Sequence, residues 1–226
     1  CHDALVAGGR SGGLLRPELR AAILRRAIQA ERDAEAMVGA RPAFVDLSLR
    51  DVYADQRTAV SIRNPRVHVV LRPAEGGLIS RLEHLPSATS WLHLVGAALG
   101  EERRAWLAGH DHLVPTDATD EQALFGLGDL CDLARVDHRL RGIDSRGRGE
   151  DAIGEAALGA EATLTWPGET PIEVELVKRV RVASRLPELR VAMRLRWARP
   201  LPRAVDLVVA SHVAVVQRDV RRDNQI

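Results

Sequence analysis

The sequence predicts a mainly β fold, an antiparallel β-sandwich preceded by an N-terminal α-helix. Two observations carry this expectation. Between residues 66 and 197, apolar residues recur at every second position in several segments joined by short turns, the pattern of consecutive antiparallel strands with one buried face. Ahead of them, residues 17–38 carry apolar side chains at spacings of three and four, the period of a helix. A sheet with one apolar face needs a second layer, and with one strong helix in the chain that layer is another sheet.

Taken in order, Pro17 suits the first helical position, where its missing N–H costs nothing. Leu19, Ile23, Ala27, Ala30, Ala34 and Met37 mark an apolar stripe, and Gly39 and Pro42 end the helix. The helix spans roughly 33 Å. Its stripe is rich in alanine and no second strong helix follows nearby, so partners outside the chain are expected. Residues 66–72 (RVHVVLR) set Val67, Val69 and Leu71 against Arg66, His68 and Arg72, as in a half-buried strand. PAEGG at 73–77 is a turn, and residues 78–85 return to extended structure. Residues 172–182 place Ile172, Val174, Leu176, Val180 and Val182 on one face. Residues 189–197 alternate Leu189, Val191, Met193, Leu195 and Trp197 with Arg190, Arg194 and Arg196. Residues 205–216 are apolar almost throughout, like a central strand. The stretch 87–159 is less regular, with helical pieces around 91–107, and reads as an insertion.

Composition narrows the function. The 226 residues suffice for one core with a helical appendage, divided at 1–40 and 41–226. A net charge of +1 gives no bulk field toward nucleic acid or an anionic membrane, so neither is an expected partner. Lys178 is the only lysine among 32 basic residues. Cys1 and Cys131 fit no disulfide framework or metal spacing. With no 18-residue apolar run and no charged-then-apolar leader, a cytoplasmic location is expected.

Several local patterns bear on chemistry. GGRSGG at 8–13 sits before a helix, where backbone N–H groups can meet an anion, but it lacks the lysine and spacing of a phosphate loop. Close backbone packing is the expected use, with Arg10 and Arg16 beside it. His110 and His112, with Asp117 and Asp120, offer two ligands on one strand face but no third at a recognisable spacing. No metal or other cofactor is expected. Ser211 and His212 lack a nucleophile-elbow pattern. His84 and His93 read as surface or core residues. Arg190, Arg194 and Arg196 read as a solvated or acid-paired sheet face, with the stretch 144–155 offering acidic partners.

Cys1-His2-Asp3, Val6-Ala7-Gly8, Ser11-Gly12-Gly13-Leu14-Leu15-Arg16-Pro17 and Leu19-Arg20 follow one another into the helix. This run resembles glycoside hydrolase family 57, the α-amylases and 4-α-glucanotransferases, in which Cys-Asn-Asp, Trp-His-Gly, Phe-Gly-Gly-Leu-Tyr-Leu-Pro and Leu-Arg occur in that order. One extra residue lies between Gly8 and Gly12. The likeness continues through residues 51–85, with Asn64, Pro73, Gly76, Gly77 and Glu83 in register, and to Asp137 and Arg141 in VDHRLRG. The departures are that the family's Trp-His pair is Val6-Ala7 here, and its Phe and Tyr are Ser11 and Leu15. Gln56 stands where a turn glycine is expected, and aromatic residues total seven (four Trp, one Tyr, two Phe).

The resemblance implies the last helix of the family's helical region, followed by most of its C-terminal sandwich. That sandwich is of the galactose mutarotase-like supersandwich kind and is incomplete here at its C-terminus. In such enzymes two carboxyl groups about 5–5.5 Å apart cleave the glycosidic bond with retention, and they belong to a barrel that precedes these elements. The chain is then expected to be a fragment that supports the barrel without catalytic residues of its own. The intact parent would act on α-glucan or maltooligosaccharide. Asp3, Gly12 and Gly13 would stand nearest substrate, as cleft wall. Two other readings stay open: a stand-alone sandwich that binds carbohydrate or protein, and a decayed pseudoenzyme.

Overall fold

A computed structural model describes residues 17–39, 43–91, 111–115, 136–165, 169–201 and 205–209. Helix α1 (Pro17–Val38) leads into two antiparallel sheets. The first has the order β1 (Asp46–Arg50), β2 (Ala59–Arg63), β3 (Val67–Arg72), β4 (Leu78–His84) and β5 (Thr89–Ser90). After β6 (Asp111–Pro115) come β7 (Arg139–Arg146), β8 (Ile153–Leu164), β9 (Ile172–Ala183) and β10 (Leu189–Trp197), which form the second in the order β10-β9-β8-β7. Strand β11 (Val205–Val209) pairs with β6, Val205 opposite Pro115 and Val209 opposite Asp111. The predicted antiparallel sandwich behind a helix is the fold observed.

The two sheets meet face to face. Val60, Ile62, Val67, Val69 and Leu71 of the first pack on Ala156, Leu158, Val180 and Val182 of the second. A second cluster, Ala162, Leu164, Ile172, Val174 and Leu176, extends the core under Met193, Leu195 and Trp197. Strand alternation also puts Lys178 on this inner face, where it is buried. Asn64 ties the sheets together at one end. It is fully buried, its amide donates to the carbonyls of Ala183 (2.6 Å) and Leu186 (3.0 Å), and its side-chain oxygen accepts from the N–H groups of Arg66 and Val67.

The structure differs from several expectations. The stretch 87–159 holds, among its described residues, β5, β6, β7 and the first half of β8, a core strand. Its IGEAALGAEATL sequence hides a strand because glycine and alanine have low strand propensity. Close packing requires the small residues: a Cβ on Gly154 would stand 2.5 Å from Val45 Cγ1 and 3.2 Å from Ile62 Cγ2. Strand β3 is buried on both faces rather than one, with His68 and Val70 covered as well as Val67, Val69 and Leu71. Helix α1 also docks on its own chain, through Ile28, Leu85 and Ala88. Its docking face is also rotated from the expected stripe: Ala30, Ala34 and Met37 are exposed, while Ile28 is fully buried. The stretch 144–155 does supply acids, but to Arg146, Arg179 and Arg185, whereas Arg190 pairs with Glu188 and Arg196 lies 3.9 Å from Glu175. Of the apolar run 205–216, the part beyond Val209 lies outside the described residues.

Two turns explain residues singled out in the sequence. Gly76 and Gly77 both have left-handed backbone, φ 65° and 64°, as PAEGG requires. The His138 ring lies so close over Gly77 that an added Cβ would meet it at 3.0 Å, and His138 N–H donates to the Pro73 carbonyl. Thus the VDHRLRG stretch and the PAEGG turn, far apart in sequence, form one corner. Gln56, at φ 64°, occupies the left-handed position where glycine was expected. Its N–H and that of Asp55 are held by the Asp51 carboxylate.

Gly154→Val should destabilise the fold by about 1–3 kcal/mol, because the added methyls overpack a filled core. Gly142→Ala should change it little, since a Cβ there meets nothing within 4 Å. Urea unfolding of both variants checks this.

Candidate functional site

The outer face of the first sheet carries a polar cluster that helix α1 covers. Strand register brings it together. His68 of β3 stands opposite Glu83 of β4 and beside Arg63 of β2, and Ser61 of β2 faces Val70 of β3. Alternation sends Val67, Val69 and Leu71 inward to the core, so Ser61, Arg63, His68, Arg81 and Glu83 share the other face. Helix α1 lays Glu31 and Glu35 over them.

Glu83 is fully buried and His68 nearly so. His68 Nδ1 lies 3.2 Å from Glu83 Oε2, and its Nε2 lies 3.0 Å from Ser61 Oγ. A carboxylate only accepts, so the Nδ1 proton is the one donated to Glu83, and in that tautomer Nε2 accepts from the Ser61 hydroxyl. The arrangement is a Ser–His–Glu relay: a hydroxyl, a base in contact with it, and an acid that orients the base.

Two arginines complete the charge balance. Arg81 Nε lies 2.9 Å from Glu83 Oε1, and another nitrogen of Arg81 lies 3.5 Å from Glu31. Arg63 reaches Glu31 at 3.5 Å and Glu35 at 2.8 Å. The alignment of these contacts is imperfect: Arg63 Nε, one Arg63 terminal nitrogen and Glu83 Oε1 are buried without a hydrogen bond. Ligand atoms of Glu31, His68 and Glu83 lie within 4.8 Å of one another, a set that a divalent metal can use. Arg81 already contacts both carboxylates, however, and a cation would have to displace it. The charges favour an ionic network over a metal centre. The same spacing approaches that of a retaining glycosidase pair, but with Arg81 between the two acids and Glu83 buried, no sugar ring fits there.

Near the turn end of this sheet, Arg72 pairs with Asp55 and Glu75 and stacks over the Tyr53 ring at 4.6 Å. Desolvation opposes ionisation of Asp55, but the Arg57 N–H and the Arg72 guanidinium outweigh it and hold its carboxyl below the usual range. Its contribution to stability is therefore present at neutral pH and lost as pH falls through the lowered value.

Of the sequence-predicted site residues, Asp3, Gly12 and Gly13 lie outside the described residues, as do His110, Asp117, Asp120, Ser211 and His212. His112 falls in β6, opposite Val208. His84 stacks on Trp91 and contacts Ser87 Oγ at 2.7 Å, a structural role as expected. Glu83 and Asn64, which had only marked a resemblance, prove to be buried organisers. Ser61 and His68 were missed as a pair, because a triad across three strands has no fixed sequence spacing. The available signal was a histidine and a glutamate at apolar-flanked positions of adjacent strands.

Fold and site together define a helix-covered antiparallel β-sandwich with a buried polar network between helix and sheet. Among solved structures it is similar to the 4-α-glucanotransferase from Thermococcus litoralis, with a TM-score of 0.56 and 18% sequence identity. The match covers 84% of this chain and 29% of that one, so the chain spans less than a third of that protein's length. At this identity the likeness is one of fold. The sequence matches no protein-family model and no curated protein.

Glu83→Ala should cost about 3–5 kcal/mol in urea unfolding, because it strands Arg81 and His68 without their buried partner. Glu35→Ala, at a half-exposed position, should cost no more than about 1 kcal/mol.

Proposed function

We propose that this chain is the non-catalytic C-terminal part of an α-glucan-processing glycoside hydrolase or transglycosylase, of the α-amylase or 4-α-glucanotransferase type. In this reading residues 1–40 end a helical region and residues 41–226 form the sandwich domain. They support an active-site barrel that lies outside the sequence. The observation that carries the reading is the asymmetric structural match, most of this chain against less than a third of a glucanotransferase. It agrees with the order of motifs from Asp3 through Gly12 and Gly13 into the helix.

The chemistry of the described residues fits a supporting role toward glucan. The two described tryptophans are engaged: Trp91 stacks on His84, and Trp197 packs against the core cluster around Val174. The carboxylates Glu31 and Glu83 are tied together by Arg81. Asp3, Gly12 and Gly13 would wall the substrate cleft of the parent without acting on the bond.

Incubated with starch and with maltooligosaccharides, the purified chain should release no reducing sugar and redistribute no chain lengths above the buffer rate. Turnover by the purified chain would overturn the proposal.

A further inference from the structure

We propose that Ser61 is an activated nucleophile that accepts the acyl group of a small ester, with His68 as its base and Glu83 as the positioning residue. The glucan reading neither requires nor supplies this activity.

The connectivity is that of a nucleophile, a base and an orienting acid. Ser61 Oγ stands 3.0 Å from His68 Nε2, and His68 Nδ1 stands 3.2 Å from Glu83 Oε2. Three neighbouring strands of one sheet fix these side chains, and His68 and Glu83 are directly opposed in register. The acid is fully buried, the base nearly so, and Ser61 is half-buried, so the nucleophile is the end of the relay that reaches solvent. Arg81 contacts Glu83 Oε1 and leaves Oε2 to the imidazole. Arg63, two residues beyond Ser61 on the same strand face, is engaged through both terminal nitrogens with Glu31 and Glu35, so it adds positive charge beside the relay.

In the reaction, Ser61 Oγ forms a bond to the ester's carbonyl carbon while the bond from that carbon to the departing alkoxide breaks. The hydroxyl proton passes to His68 Nε2 and on to the alkoxide. Water then attacks the acyl-serine, its proton returns through His68 to Ser61 Oγ, and a carboxylic acid leaves. No oxidant, reductant or further reactant is needed.

The test is covalent labelling of the full chain with a fluorophosphonate, in which a Ser61 Oγ–P bond replaces the P–F bond and fluoride leaves. The expected result is one label per chain, located on Ser61 by peptide mass analysis, with p-nitrophenyl acetate competing for the site. Labelling should require the folded state and disappear in urea. Ser61→Ala should abolish it. His68→Ala should slow it by about 100-fold or more, and added imidazole should restore part of the rate, which a purely structural role for His68 would not produce. Glu83→Gln should also slow labelling, with Glu83→Asp recovering part of it, both compared with folding monitored by circular dichroism. The proposal is overturned if the folded wild type labels no faster than the urea-unfolded chain, or if the label sits on another serine. It is equally overturned if a folded His68→Ala protein labels at the wild-type rate.

Discussion

One carboxylate with no access to solvent, Glu83, sets the arrangement of the outer layer of this protein. Burying an ionised carboxyl costs several kcal/mol unless charges and hydrogen bonds replace its water. Arg81, two residues away on the same strand face, supplies one charge, and His68, opposite it across the ladder, supplies the hydrogen bond. Arg81 and Arg63 then present more positive charge than Glu83 can balance. Glu31 and Glu35 from helix α1 meet that excess. The helix has Ile28 as its one fully buried apolar residue among those described. Ion pairs, together with the apolar contact of Ile28 with Leu85 and Ala88, therefore fix where α1 sits and which way it is rotated.

The inner layer follows a different logic. Between the sheets the contacts are apolar and close, and β8 meets the opposite sheet through glycine and alanine so that Val45, Ile62 and their neighbours can approach. Asn64 adds one directional fastening, with four hydrogen bonds from a single buried side chain, two of them to the far sheet's connection. A sandwich held this way leaves its outer faces available for other layers. One of them has taken α1.

Much of this was legible in the sequence because periodicity reports burial directly. The bounds of α1, β3, β4, β9 and β10 follow the apolar pattern closely, and the PAEGG turn announces its left-handed glycines. What was not legible has two causes. In β8, tight packing replaces large apolar residues with Gly154, Ala156 and Ala160, which erases the strand signal. On α1, the expected stripe counted Ala30, Ala34 and Met37 as buried, whereas Glu31 and Glu35 are drawn toward the sheet by arginines about 30 to 50 residues away in sequence. Electrostatic partners across such distances leave no local pattern. The Ser61–His68–Glu83 relay escaped notice for the same reason, since only the ladder register aligns its three members.

The most direct test of the claim that ion pairs hold the helix to the sheet is residue-level amide hydrogen exchange on Glu31→Ala. Glu31 contacts both Arg63 and Arg81. The account predicts that amides around Ile28 lose protection by one to two orders of magnitude, about 1.4–2.8 kcal/mol of local opening, while those of β8 and β9 exchange as in the wild type. Unchanged protection in α1, or an equal loss across helix and sheets, would contradict it.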